Sequence, residues 1–190
     1  NMLRIPLIAI TGSNGKTTTK ELTAKILSTQ YSTRATAGNL NNHIGVPLTL
    51  LGIDDSAEMG IIEMGANHSG EIGHLCRIAR PDYGLITNIG MAHLEGFGSL
   101  EGVMKAKKEL YDFLEENGGL VFINEQDDII RPANFFHHRF QSFLKLTPVF
   151  GTGDDTGQVD VHRHGNARNR VGELEPGDDR IFRIELSHGP

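Results

Sequence analysis

Eight consecutive residues, Thr11-Gly12-Ser13-Asn14-Gly15-Lys16-Thr17-Thr18, combine what a polyphosphate needs. Glycines let backbone N–H groups approach phosphate oxygens, and a helix that opens here adds partial positive charge at its N-terminus. Lys16 is placed to neutralise the outer phosphates, and Thr17 to offer its hydroxyl to Mg²⁺. The apolar run Leu7–Ile10 before this loop and the helical pattern Lys16–Ser28 after it supply the strand-to-helix context that the motif requires. The common phosphate loop also has glycine five residues before Gly15, where this chain has Ile10. A plain glycine-rich turn is the simpler alternative.

Three further polar groups stand at the ends of apolar runs, where open α/β sheets bind their ligands. Glu63 follows Gly60-Ile61-Ile62. His93 follows Leu85–Asn88 inside the glycine-rich loop Gly90-Met91-Ala92-His93. Asn124 ends Leu120–Ile123. A carboxylate and an imidazole near a triphosphate suit Mg²⁺ coordination, although that ion prefers oxygen and keeps several waters. Each residue alone also reads as a cap, an ion pair or an ordinary loop side chain.

Lys107 is the least expected residue. Its i−4, i−3, i+3 and i+4 neighbours on the pattern Leu100–Leu114 are Val103, Met104, Leu110 and Tyr111, so it sits on the stripe that faces the core. Lys105 has Glu101, Lys108 and Glu109 around it and belongs to the solvated face. Two readings fit Lys107: a snorkelling lysine with a wet ammonium, or an amine whose pKa is lowered by desolvation. An uncharged amine reacts with CO₂ to give a carbamate, which is an anionic oxygen ligand.

The elements that must hold these residues alternate. Strands are predicted at Leu7–Ile10, Gly60–Glu63, Tyr83–Asn88 and Leu120–Ile123, without the polar alternation of half-exposed strands. Helices are predicted over Lys16–Ser28, with Leu22 and Ile26 at i, i+4, over Ser69–Ala79, stopping before Pro81, and over Leu100–Leu114. Strand–helix alternation reads as an α/β fold, a mostly parallel phosphate-loop sheet flanked by helices. From about Val149 the pattern changes to short alternating strands at Val159–His162, Val171–Leu174 and Ile181–Leu186, a small antiparallel β tail. The expected division is a core over 1–153 and an antiparallel extension of the same domain over 154–190.

Composition narrows the class. The 190 residues carry 18 basic and 24 acidic groups, a formal charge of −6, which argues against a general nucleic-acid or anionic-membrane binder. No apolar run approaches the roughly 20 residues of a spanning helix. A single cysteine allows no internal disulfide and fits a reducing compartment. Cys76 lies on an apolar helical stripe and is expected in the core. Phe135-Phe136-His137-His138, the pair His162 and His164, and the acidic runs Asp154-Asp155 and Asp178-Asp179 have plain packing, strand or turn explanations.

Taken together, these residues resemble the central ATP-binding domain of the Mur ligases, which build the peptide stem of peptidoglycan. The loop Thr11–Thr18 resembles the family's form, missing first glycine included. The blocks Gly38-Asn39-Leu40-Asn41-Asn42-His43-Ile44-Gly45-Val46-Pro47 and Glu63-Met64-Gly65-Ala66-Asn67-His68-Ser69-Gly70-Glu71-Ile72 are similar to the branch that adds D-alanyl-D-alanine to UDP-N-acetylmuramoyl-tripeptide. Thr87-Asn88-Ile89-Gly90-Met91-Ala92-His93-Leu94 and Ala106-Lys107 extend the match, which covers about residues 5 to 153.

The resemblance implies roles. Gly12, Ser13, Asn14, Gly15, Lys16, Thr17 and Thr18 would wrap the ATP triphosphate. Thr17 and Glu63 would hold one Mg²⁺, and His93 with a carbamylated Lys107 a second. Asn124 would contact adenine, and Asn41 and Asn42 would lie towards the acceptor. Lys16, Glu63, His93 and Lys107 would be the catalytic set. Two departures stand out: Gln126 replaces the first acid of the family's Asn-x-Asp-Asp, and His43 stands where the branch often has an acid.

The implied activity is an ATP-dependent amide ligation through an acyl phosphate, by a cytoplasmic, monomeric enzyme with no nucleic-acid or membrane partner. The family's N-terminal UDP-sugar domain and C-terminal closing domain are expected to lie outside these residues. Two alternatives stay open: another Mur or folylpolyglutamate-type ligase, and a nucleotide-binding piece without turnover.

Overall fold

The computed structural model of the chain describes residues 3, 5–90, 94–124 and 127–130, and the backbone of strands at 143–149, 156–164 and 184–187. The chain divides into two compact units, residues 1–121 and 122–190.

The first unit is built on a parallel sheet. Strand β1 (Leu7–Thr11) pairs in parallel with β3 (Met59–Glu63) on one side and β4 (Tyr83–Ile86) on the other, with Ile8 opposite Ile61 and Tyr83. The short edge strand β2 (Thr33–Ala35) pairs with β3, also in parallel. Strand β5 (Leu120–Asn124) starts next to β4, where Leu120 N–H donates to the Asp82 carbonyl at 2.9 Å. All five residues of β1 are buried, as an unbroken apolar run in a sheet covered on both faces should be.

Helix α1 (Lys16–Leu27) opens at Gly15, whose φ of 77° is left-handed. Helix α3 (Glu71–Ala79) starts after Gly70 and stops at Arg80 ahead of Pro81. Its start is later than Ser69 because Gly70, at φ 88°, lies outside the helical region. Helix α5 (Leu100–Asn117) is capped by Ser99, whose Oγ accepts from Gly102 N–H at 3.1 Å, and ends at Gly118. It therefore runs past the expected end at Leu114.

Two short helices and β2 carry too little periodicity to be predicted. Helix α2 (Gly45–Leu51) holds Pro47 in its first turn, where no intrahelical N–H bond is lost. Its apolar residues Ile44, Leu48 and Leu51 face outwards, Leu51 being 78 % exposed. Helix α4 (Leu94–Phe97) is a single turn. Helix α1 overturns one expectation. Leu22 is 57 % and Ile26 43 % exposed, so that apolar pair is not its buried face; Lys20 is.

Strand β4 ends at Ile86 rather than Asn88; Thr87 N–H still donates to the Thr11 carbonyl at 2.9 Å, and the side chains of Thr87 and Asn88 bond the phosphate loop. The second unit contains the antiparallel tail. Strand β6 (Phe143–Val149) pairs with β7 (Thr156–His164), and β7 with β8 (Ile184–Ser187), both antiparallel. The tail begins at Phe143, earlier in the chain than the pattern indicates. Val171–Leu174, Phe135–His138 and both acidic runs lie outside the described residues, as do the side chains of His162 and His164. No helix among the described residues is long and apolar enough to cross a membrane.

Candidate nucleotide and metal site

The loop between β1 and α1 is held open from the β4 side. Ser13 N–H donates to the Asn88 carbonyl and Asn14 N–H to Asn88 Oδ1, both at 3.0 Å. Thr87 Oγ1 and Asn88 Nδ2 both donate to the Asn14 carbonyl, at 2.6 and 3.1 Å. Ser13 Oγ accepts from Gly90 N–H at 2.9 Å and donates to the Gly90 carbonyl at 3.1 Å. Gly12 is obligatory here: its φ is 144°, and a Cβ would stand 2.0 Å from Thr87 Oγ1.

Within this cradle Lys16 Nζ donates to the carbonyls of Gly12 at 2.8 Å and Ser13 at 3.1 Å. Burial pushes its pKa below the usual lysine range, and the Glu63 carboxylate opposes that shift. A cation held over a glycine-rich turn at a helix N-terminus is what a phosphate chain requires.

Glu63, 1 % exposed at the end of β3, is gripped on one oxygen only. Its Oε1 accepts from Thr17 Oγ1 at 3.2 Å and from Asn41 Nδ2 at 2.8 Å. Its Oε2 and the hydroxyl of Thr11 are the buried side-chain polar atoms without a hydrogen-bond partner among the described residues. An orphaned buried carboxylate oxygen costs desolvation energy unless something binds it. A hydroxyl and a free carboxylate oxygen beside a phosphate loop fit Mg²⁺, a hard ion that takes a few protein oxygens and completes its shell with phosphate and water. Such a site needs no cluster of three or more His, Cys, Asp or Glu, and none occurs among the described residues.

Lys107 is 2 % exposed, among Val103, Ala106, Leu110 and Tyr111 on the buried face of α5. Its Nζ stands 5.5 Å from the centre of the Phe97 ring. Desolvation first, and the Lys16 charge second, push its pKa down to about 8, against opposition from Glu109 and Glu71. Of the two sequence readings, the desolvated amine is the one present. Two residues on, Glu109 leaves the same helix and caps another: its Oε1 accepts from Gly70 N–H at 2.6 Å and its Oε2 from Gly73 N–H at 2.8 Å, at the N-terminus of α3.

A cleft of ≈ 820 Å³ has Lys16, Asn41, Asn42, His43, Glu71 and Lys107 on its walls. Asn42 Oδ1 accepts from the N–H groups of Ile44 and Gly45, capping α2. Gly65 N–H donates to the Asn41 carbonyl at 2.7 Å, and a Cβ on Gly65 would meet Asn41 Oδ1 at 2.8 Å. His93 and Gln126 lie outside the described residues, and Asn124 belongs to the second unit. Cys76 is buried in the core, 3.8 Å from Met64 Sδ, its thiol pKa pushed up to about 12 by desolvation.

Sequence reasoning missed Thr87 and Asn88 as holders of the phosphate loop, Asn41 as a partner of Glu63, and Glu109 as the cap of α3. The signal for Asn88 was its place after an apolar strand. Asn41 and Glu109 carried none, since their partners stand 22 and 39 residues away in the chain.

The Mur ligase middle domain family matches residues 10–169. A UDP-N-acetylmuramoyl-tripeptide–D-alanyl-D-alanine ligase of Escherichia coli is 51 % identical over 160 residues, covering 84 % of this chain and 35 % of the relative. The Bacillus subtilis ligase of the same name is 48 % identical over 120 residues, covering 63 % of this chain and 26 % of the relative. The chain thus spans about a quarter to a third of the relatives' length. Among solved structures, MurF from Acinetobacter baumannii superposes with a TM-score of 0.65 at 32 % identity, over 96 % of this chain and 39 % of the other. The Thermotoga maritima MurF ligase in complex with ADP gives 0.67 at 29 % identity, over 96 % and 40 %. With the family model matching most of its length and a relative 51 % identical over 84 % of it, this chain belongs to the Mur ligase middle domain family.

Proposed function

We propose that this chain is the nucleotide-binding middle domain of a cytoplasmic, monomeric ligase that joins D-alanyl-D-alanine to UDP-N-acetylmuramoyl-tripeptide at the expense of ATP. The observation that carries the reading is the phosphate cradle facing a Glu63 carboxylate with one oxygen unpartnered. The relatives' names and the ADP complex of a MurF ligase support the choice of substrates and nucleotide.

In this reading the acceptor carboxylate attacks the γ-phosphorus of ATP, ADP leaves, and the incoming amine displaces phosphate from the acyl phosphate. The chemistry needs positioning and charge neutralisation more than a strong base. Lys16 binds the outer phosphates and the backbone N–H groups of residues 12–18 orient them. Thr17 and Glu63 would hold a Mg²⁺, and His93 and Lys107 a second; when bound, Mg²⁺ supplies positive charge to the phosphate oxygens. Asn124 contacts adenine, and Asn41 and Asn42 face the acceptor. Residues 1–153 form the core of the domain and 154–190 its antiparallel extension.

Lys107 is the proposed site of a carbamate. A pKa near 8 leaves about a tenth of the amine uncharged at pH 7, far more than an ordinary lysine offers. That neutral amine adds to CO₂, releases one proton and presents anionic oxygen to the cleft. The test is ligation by the intact protein with D-alanyl-D-alanine and with single amino acids, for the parent and for Lys107→Ala, with and without a short carboxylic acid. Ligation of the dipeptide that is lost in Lys107→Ala and partly restored by the acid is expected. Full activity of Lys107→Ala removes the carbamate, and preference for a single amino acid removes the assigned substrate.

A further inference from the structure

Lys20 has no part in the mechanism above, yet it is the buried residue of α1, with no exposed surface at all. It lies one helical turn beyond Lys16 on the face that packs over β3. A helix on a sheet ordinarily buries an apolar side chain there, and an ammonium is tolerated only if it is hydrogen-bonded and paired. Lys20 Nζ donates to the Thr36 carbonyl at 2.6 Å and stands 2.8 Å from Glu21 Oε1. Glu21 is 65 % exposed, so that ion pair is screened and weak, and the buried bond to Thr36 is the specific one.

Thr36 leads directly to Glu63. It is 1 % exposed and follows β2, where its N–H donates to the Ile61 carbonyl at 2.9 Å. Its Oγ1 accepts the Glu63 N–H at 3.0 Å. The same segment then delivers Asn41, whose Nδ2 holds Glu63 Oε1 at 2.8 Å. Residues 36–41 thus grip Glu63 at the main chain from one end and at the carboxylate from the other. Lys20 ties the first grip to α1, the helix whose opening turn carries Lys16 and Thr17.

We propose that Lys20 and Thr36 are positioning residues, which set the Glu63 carboxylate against Thr17 Oγ1 and so define the divalent-cation site on the nucleotide. A methionine at position 20 would fill the same space but could not donate to Thr36. The inference rests on the proposed role of Glu63 and adds to it a bond network outside the loop. A mere strut between α1 and β2 would affect melting alone.

The test uses Lys20→Met, Thr36→Val and Glu63→Gln in the intact protein. Mn²⁺ binding in the presence of ADP is followed by electron paramagnetic resonance, ADP binding without metal by calorimetry, and unfolding by heat. Lys20→Met and Thr36→Val are expected to weaken Mn²⁺ binding about tenfold, while metal-free ADP binding stays within about twofold. Either variant, folded and with Mn²⁺ binding within about twofold of the parent, overturns the inference while Glu63→Gln still loses the metal. If Lys20→Met does not fold, Thr36→Val, which replaces only a hydroxyl, decides. Unchanged Mn²⁺ binding in Glu63→Gln instead sinks the metal reading of Glu63, and the inference with it.

Discussion

Asn41 Nδ2 donates to Glu63 Oε1 at 2.8 Å, joining the loop before α2 to the end of β3. The bond aims one carboxylate oxygen at Thr17 and leaves the other unpartnered. Asn41 thus holds the Glu63 carboxylate as well as standing on the cleft wall.

Asn41→Ala should raise the Mg²⁺ concentration needed for half-maximal nucleotide binding by about tenfold. Titrating Mg²⁺ at fixed ADP checks it. A purely acceptor-facing Asn41 would change only the KM for the acceptor.

The Lys107 amine should make stability depend on pH. Its folded pKa of about 8 lies below the ordinary 10.5, so between those values the unfolded chain binds more protons and stability rises with pH. Below about pH 8 the cost of charging the buried amine is present in full. In CO₂-free buffer Lys107→Met should therefore be more stable than the parent at pH 7, by on the order of 1–3 kcal/mol. The difference should shrink above pH 8 and be gone near pH 10.5. Denaturant melts at a series of pH values measure it, and a difference flat in pH would refute it.

Glu109→Ala should cost about 1–2 kcal/mol by stranding the Gly70 and Gly73 N–H groups at the start of α3. Hydrogen exchange should quicken first in residues 67–75. That segment lines the cleft but contributes no residue of the phosphate loop, so nucleotide affinity should drop less than acceptor affinity.

Gly12→Ala should abolish nucleotide binding without unfolding the chain. The new Cβ collides with Thr87 Oγ1, and φ of 144° is strained for any L side chain. Equilibrium dialysis with labelled ATP, beside circular dichroism, separates the two effects. Retained affinity would show that the loop can re-form around the methyl group.

Local chemistry made much of this site legible. A strand, a glycine turn and Gly15-Lys16-Thr17 at a helix start point to a phosphate cradle, and the strand-to-helix context the motif requires is present. The apolar neighbours of Lys107 at helical spacing placed it on the core-facing stripe with two readings open, snorkelling or desolvated, and the structure leaves it 2 % exposed. The core strands were legible because a sheet covered on both faces demands unbroken apolar runs.

Other features lay beyond a one-dimensional reading. The Leu22–Ile26 pair obeyed helical spacing but points outwards, because periodicity marks an apolar face without saying which side meets the sheet. The side chains of Thr87 and Asn88, just past β4, bond a loop more than seventy residues away, which no local pattern shows. Helix α2 was too short for a period to show.

The sequence by itself determined the glycine-rich strand-to-helix loop, the parallel α/β pattern and the place of Lys107 on the apolar stripe of α5. These follow from residue type, side-chain period and backbone freedom, all of them local. Only the tertiary structure decided that Asn41 and Thr36 hold Glu63, that Lys20 is buried under α1, and that Glu109 caps α3. A polar side chain's partner depends on which distant backbone groups the fold brings within about 3 Å, and no local spacing encodes that.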